Sequence, residues 1–89
     1  MIHRLKTDSL AFDDIASGVK RFEIRFNDRD YEVGDILILE KTKCSGEEIR
    51  SGKPLVFTGD VVSVDVTHIL KGPIYGLAGG WVIMSLSKR

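Results

Sequence analysis

The sequence predicts an α+β fold that is mainly β: a small closed or nearly closed barrel of about five to six strands, with one short helix after the first strand. Three features of the chain point there. Apolar residues at every second position mark several short strands, most clearly Phe22, Ile24 and Phe26. One stripe at helical spacing, Phe12, Ile15, Ala16 and Val19, interrupts them early. A chain of 89 residues with several short strands hides its strand edges best by closing its sheet on itself.

Ile2 to Thr7 reads as the first strand, with His3 and Leu5 on one face and Arg4 and Lys6 on the other. Asp8 or Thr7 is placed to cap the helix that follows, and Gly18 to end it in the left-handed conformation. The second strand runs from about Arg21 to Phe26. Its alternation assigns Phe22, Ile24 and Phe26 to the core and leaves Arg21, Glu23 and Arg25 on the wet face. Asn27 to Asp30 is a turn by composition, and Gly34-Asp35 is a second one, with Asp35 as a structural residue. Ile36 to Leu39 is continuously apolar, as suits a strand buried on both faces.

Lys41 to Pro54 is polar and glycine-bearing, and reads as a hairpin excursion. Val56 to Leu70 is a long β-rich segment with Val62, Val64 and Val66 on one face and a break or bulge near Gly59. Lys71-Gly72-Pro73 stops it, and Ile74 to Gly80 is a loop. Trp81 to Leu86 is a last, mostly apolar and therefore central strand, with Trp81 in the core.

Length bounds the chain to a single domain, 1–89, expected to be a monomer. Lys plus Arg equals Asp plus Glu, 13 each, so long-range attraction to a polyanion is not built into the whole molecule; nucleic-acid contact needs a local basic patch. Cys44 is the one cysteine, which rules out an intramolecular disulfide and gives no metal-ligand spacing, so neither a metal nor a cofactor is expected. With no apolar leader at the N-terminus and no apolar run long enough to span a bilayer, a cytoplasmic location is expected.

Most enzyme signatures are missing. There is no phosphate-binding Gly-x-x-x-x-Gly-Lys-Ser/Thr loop and no His-Glu-x-x-His pair, and Gly76 to Gly80 precedes a strand instead of opening a helix. His3 and His68 are isolated and read as structural. Taken alone, Arg21, Glu23 and Arg25 read as cross-strand pairs on a solvated face, worth about 0.2–1 kcal/mol each.

Gly18-Val19-Lys20-Arg21-Phe22-Glu23-Ile24-Arg25 follows the pattern Gly-x-Lys-x-x-Glu-x-Arg. It resembles the signature of the ASCH domain, a branch of the PUA-like superfamily. The likeness extends through His3-x-Leu5-Lys6-Thr7, Asn27-Asp28-Arg29, Val33-Gly34-Asp35, Val66-Thr67-x-Ile69-Leu70 and Gly80-x-Val82-Ile83-Met84-Ser85-Leu86, as in small bacterial and phage proteins related to ASCH. The resemblance implies a PUA-like barrel with a cleft lined by Lys20, Glu23 and Arg25, which binds single-stranded RNA or a modified nucleotide. The wider pattern adds Lys6, Asn27, Asp28 and Arg29, although Asn27 and Asp28 serve equally as turn formers.

The chemistry fits such a ligand. Lys20 and Arg25 can contact phosphate, and Glu23 can accept from an exocyclic amine of an unpaired base. Tyr31 or Phe22 offers a ring for stacking, although alternation assigns Phe22 to the core. The alternative implied by the resemblance is a small hydrolase of a modified nucleoside or RNA, an amidohydrolase or ribonuclease, with Lys20 and Glu23 polarising water. The amidohydrolase likeness requires a Thr nucleophile three residues after the signature Lys; Glu23 stands there, and Thr7, Thr58 and Thr67 are not placed there by the sequence. A third alternative is an interaction module with no nucleic-acid partner.

Overall fold

The computed structural model describes the whole chain, Met1–Arg89. Strand β1, Ile2–Thr7, turns His3, Leu5 and Thr7 inward and leaves Ile2, Arg4 and Lys6 outside, the alternation of a strand with one dry face. Asp8 then accepts a hydrogen bond from the Ala11 N–H at 2.9 Å and caps helix α1, Ser9–Ser17. Gly18 ends the helix at φ 88°, where a side chain would be strained. Phe12 and Ile15 are buried, but Val19 lies past the cap and is exposed, so the apolar stripe is one residue shorter than its spacing suggests.

Strands β2 (Phe22–Phe26), β3 (Ile36–Thr42), β4 (Phe57–Lys71) and β5 (Trp81–Lys88) complete a five-stranded sheet in the order β1-β3-β4-β5-β2. β1 runs parallel to β3, with Ile2 opposite Ile36 and Thr7 opposite Lys41; the other pairs are antiparallel. Parallel neighbours need a long crossover, and the segment from α1 to the Gly34 turn supplies it. β4 serves two neighbours. Its earlier part pairs with β3 and its later part with β5, and a register shift between Val66 and His68 bends it between them.

The sheet curls into a half-barrel around Leu5, Leu37, Leu39, Val64, Val66 and Met84, with Phe12 and Ile15 packed against it. It does not close through a backbone ladder. Its edges, β1 and β2, face each other across a seam bridged by two guanidinium groups: Arg25 donates to the Lys6 carbonyl at 2.8 Å and Arg29 to the Arg4 carbonyl at 3.1 Å.

β2 has the predicted period but the opposite face. Phe22, Ile24 and Phe26 are 47%, 44% and 54% exposed, whereas Glu23 is 4% exposed. The cause lies in its neighbour. β5 turns Val82, Met84 and Leu86 inward, and the register sets Glu23 opposite Met84 and Arg25 opposite Val82. Directly opposed residues share a face, so the charged side of β2 turns in and the apolar side turns out.

The excursion from Lys41 to Pro54 joins the antiparallel strands β3 and β4, as a hairpin connection does, and contains a short helix, α2, Gly46–Arg50, opened by a reciprocal capping box between Ser45 and Glu48. Two further expectations are corrected. Ile36 and Ile38 are half-buried; full burial is confined to Leu37 and Leu39 on the inner face. Trp81 is 40% exposed on the outer face, although β5 itself is an interior strand of the sheet as its composition suggests.

Asp35 has the structural role expected of it. Its Oδ1 accepts from the Met1 ammonium at 2.9 Å, and its Oδ2 accepts from the Glu32 N–H at 3.0 Å and lies 2.8 Å from His3 Nε2. Burial pushes its carboxyl up, but these hydrogen bonds outweigh burial and hold it at about 2. No helix is long and apolar enough to cross a membrane.

Candidate functional site

The seam between β1 and β2 opens into a cleft of about 310 Å3. Lys6 and Thr7 line it from the end of β1, and Asp8 and Ala11 from the start of α1. Lys20 and the Glu23-Ile24-Arg25 run line the opposite side, α2 adds Gly46 and Ile49, and Trp81 reaches it from β5.

Four residues singled out from the sequence, Lys6, Lys20, Glu23 and Arg25, therefore share one cleft. Arg29 and Asp28 line a neighbouring cleft of about 390 Å3, which also takes in Arg4, Lys6 and Arg25. Asn27 lines neither cleft. Its side-chain oxygen accepts from the Tyr31 N–H at 3.0 Å and its own N–H donates to the Gly80 carbonyl at 2.8 Å, the bonding of a turn former.

Glu23 and Arg25 form the fixed centre. Arg25 donates through both Nε and Nη2 to Glu23 Oε2, each at 3.1 Å, while Nη2 also reaches Lys6 O. Glu23 Oε1 accepts no hydrogen bond from the protein. Lys6 and Lys20 make no ion pair within the chain; the Lys20 ammonium lies 5.1 Å from the centroid of the Phe22 ring. Lys20 and Glu23 line the same cleft and make no ion pair with each other. The cleft offers two unpaired ammonium groups, one guanidinium already bonded on two sides, and one open carboxylate oxygen.

The expected stacking rings exchange roles. Tyr31 is 1% exposed, sits edge-on to His3 with centroids 5.0 Å apart, and cannot offer a face to a ligand. Burial raises the pKa of its hydroxyl above the ordinary tyrosine value; Asp28 and Glu23 add to the rise, against Arg25 and Arg29. Phe22, assigned to the core by alternation, is on the surface.

Thr7 lines the cleft, but it is buried and its hydroxyl donates to the Leu5 carbonyl at 3.3 Å. Gly46, Ile49, Ile24 and Trp81 are wall residues that periodicity did not suggest. For the α2 pair a signal existed, since Ser45-x-x-Glu48 spells a capping box. No cluster of three or more His, Cys, Asp or Glu side chains is assembled that could hold a metal ion.

Over 68 residues the chain is 38% identical to "Uncharacterized 12.9 kDa protein in GpA 3'region" of Escherichia phage P2, an alignment covering 76% of this chain and 53% of that protein. The chain thus spans about half the length of that curated relative. Residues 2–86 match the family described as a domain of unknown function, DUF3850. A match running from the first strand to the last leaves almost nothing outside it, and the chain belongs to the DUF3850 family.

Proposed function

We propose that this chain binds single-stranded RNA or a modified nucleotide in the β1–β2 cleft. The supporting observation is the meeting of Lys6, Lys20, Glu23 and Arg25 around one cavity of about 310 Å3. Lys6 and Lys20 act on phosphate as free point charges, and Glu23 Oε1 accepts from an amine on a base edge. Arg25 holds the carboxylate in place and keeps part of its donor fork toward the cleft. The ASCH-like run from Gly18 to Arg25, and the PUA-like barrel it implies, support the same assignment. A cytoplasmic monomer is the form in which we expect it to act.

We favour binding over hydrolysis because Glu23 Oε2 accepts both Arg25 hydrogen bonds and the carboxylate makes no ion pair with Lys20. The experiment is a salt titration of a labelled oligoribonucleotide by fluorescence anisotropy, with wild type and Lys20→Ala side by side. Affinity falls with salt in the wild type, and removing Lys20 flattens the slope by about 0.7, the value for one single-strand phosphate contact. Absence of binding at low salt overturns the proposal, and a protein partner that survives the substitution favours the interaction-module alternative.

A further inference from the structure

The outer face of β2 and β5 is anomalous for a strand pair at the edge of a sheet. β2 sets Phe22, Ile24 and Phe26 outward opposite Ser85, Ile83 and Trp81, with no carboxylate among them. Edge strands ordinarily carry charge on exposed faces, because an apolar edge invites unwanted pairing. A contiguous exposed apolar patch next to a charged cleft therefore marks a surface that something covers.

We infer that this face is a stacking platform for the unpaired bases of a single strand whose phosphates lie in the adjoining cleft. The inference rests on the nucleic-acid assignment of the cleft and extends it from a pocket to a path. Ile24 and Trp81 belong to both surfaces, lining the cleft while standing on the outer face, so a strand leaving the cleft meets the rings directly. The rings are held in place before any ligand arrives. Phe26 and Trp81 pack edge to face, centroids 6.0 Å apart at 78°. Phe26 also lies so close over Gly80 that a Cβ there would fall 2.8 Å from its Cε1. Rings ordered in advance lose little entropy on binding.

Charge selects the occupant. Lys20 lies over the Phe22 ring at one end of the patch, and Lys6 and Arg25 stand beyond Ile24 in the cleft. Aromatic faces interleaved with cations fit a polyanion that displays π-faces, and a single strand does so whereas a duplex hides them. A second copy docked by two-fold symmetry on the same face would bring the Lys20 side chains of both copies to one interface, which like charge opposes. Because every base has a π-face, the platform is tolerant of sequence.

Trp81 is the one tryptophan, so its emission reports on the platform directly. The probes are an oligouridylate and a ribose-phosphate strand of equal length without bases. Oligouridylate is expected to quench Trp81, and the abasic strand to bind more weakly without quenching. Phe26→Leu keeps apolar bulk and removes the ring; it should lower oligouridylate affinity about tenfold and leave the abasic strand unaffected. Phe22→Leu is the second variant, with circular dichroism to verify folding. If oligouridylate binds without quenching and both variants bind like wild type, the platform is overturned and the cleft assignment stands. If neither strand binds, both fall. If neither strand binds and the chain dimerises in a manner that Phe26→Leu abolishes, the patch is a self-association surface instead.

Discussion

Arg25 Nη2 lies 2.8 Å from the Lys6 carbonyl oxygen, so one side chain of β2 bonds to the backbone of β1 across the open seam of the half-barrel. The same guanidinium neutralises Glu23, whose carboxylate is almost wholly enclosed. The candidate site and the closure of the fold therefore depend on the same residue.

Arg25→Ala leaves an uncompensated carboxylate at the seam and is expected to lower stability by about 3 kcal/mol, read from urea denaturation. Adding Glu23→Gln removes the stranded charge. The double variant is expected to be more stable than Arg25→Ala alone, a coupling that two independent surface residues would not show. Arg25→Lys keeps the charge but loses the planar fork, with an expected loss of about 1–2 kcal/mol.

Lys6 separates stability from binding. Arg25 bonds to its backbone carbonyl, which Lys6→Ala retains, while the side chain that lines both clefts is removed. The unfolding free energy is expected to stay within about 0.5 kcal/mol of wild type. Oligonucleotide affinity should fall and the salt slope should flatten by about 0.7. A large loss of stability with unchanged binding would assign Lys6 a structural role only.

Much of this arrangement was legible in the chain. The alternation in β1, the Asp8 and Gly18 caps of α1 and the long valine-bearing β4 are local patterns, and each is found where its spacing placed it. The face of β2 was not legible, because Phe-Glu-Ile-Arg-Phe alternates equally well with either side inward. Its neighbour β5, whose register turns Met84 and Val82 inward, decides between the two. Alternation alone places Phe22, Ile24 and Phe26 on the core side, and the register with β5 reverses that side. A buried Glu–Arg pair tied to a backbone carbonyl is a tertiary solution that no periodicity announces. That Lys20, Glu23 and Arg25 line one cleft was an implication of the ASCH-like signature, not of spacing alone: Arg21 and Phe22 lie within the same six positions and line no part of it.

Asp35 gives an acid limit. Its carboxyl is held at about 2 in the folded chain, against an unperturbed value near 3.9. A depressed carboxylate contributes stability above its unfolded value, and that contribution is lost as pH falls through the folded one. Stability is therefore expected to decline from about pH 4 to about pH 2. Asp35→Asn, less stable at neutral pH, should show a shallower decline over that window in denaturation curves collected at successive pH values.

Tyr31 is expected to tolerate the loss of its hydroxyl. That oxygen is buried and hydrogen-bonds to no other group of the protein, so Tyr31→Phe removes a desolvated polar group and keeps the ring against His3. A gain of about 1 kcal/mol is expected. The raised pKa also means that, above about pH 10, the unfolded chain releases this proton more readily than the folded one. Wild-type stability accordingly falls as pH rises there, and the variant should fall less steeply.

Gly80 joins the loop to the platform. Its φ is 84°, a left-handed conformation that costs a side chain about 1–2 kcal/mol, and a Cβ would fall 2.8 Å from Phe26 Cε1. The ring is exposed, so it can swing outward, but only by leaving its edge-to-face contact with Trp81. Gly80→Ala is thus expected to lower stability by about 2 kcal/mol and to change Trp81 emission even without ligand. The Gly80 carbonyl accepts from the Asn27 N–H at 2.8 Å, a bond that survives addition of a methyl group and keeps the turn after β2 attached to β5. The variant should therefore fold with an unchanged far-ultraviolet circular dichroism spectrum while its tryptophan signal shifts. An unshifted signal would mean that Gly80 does not set the position of the ring.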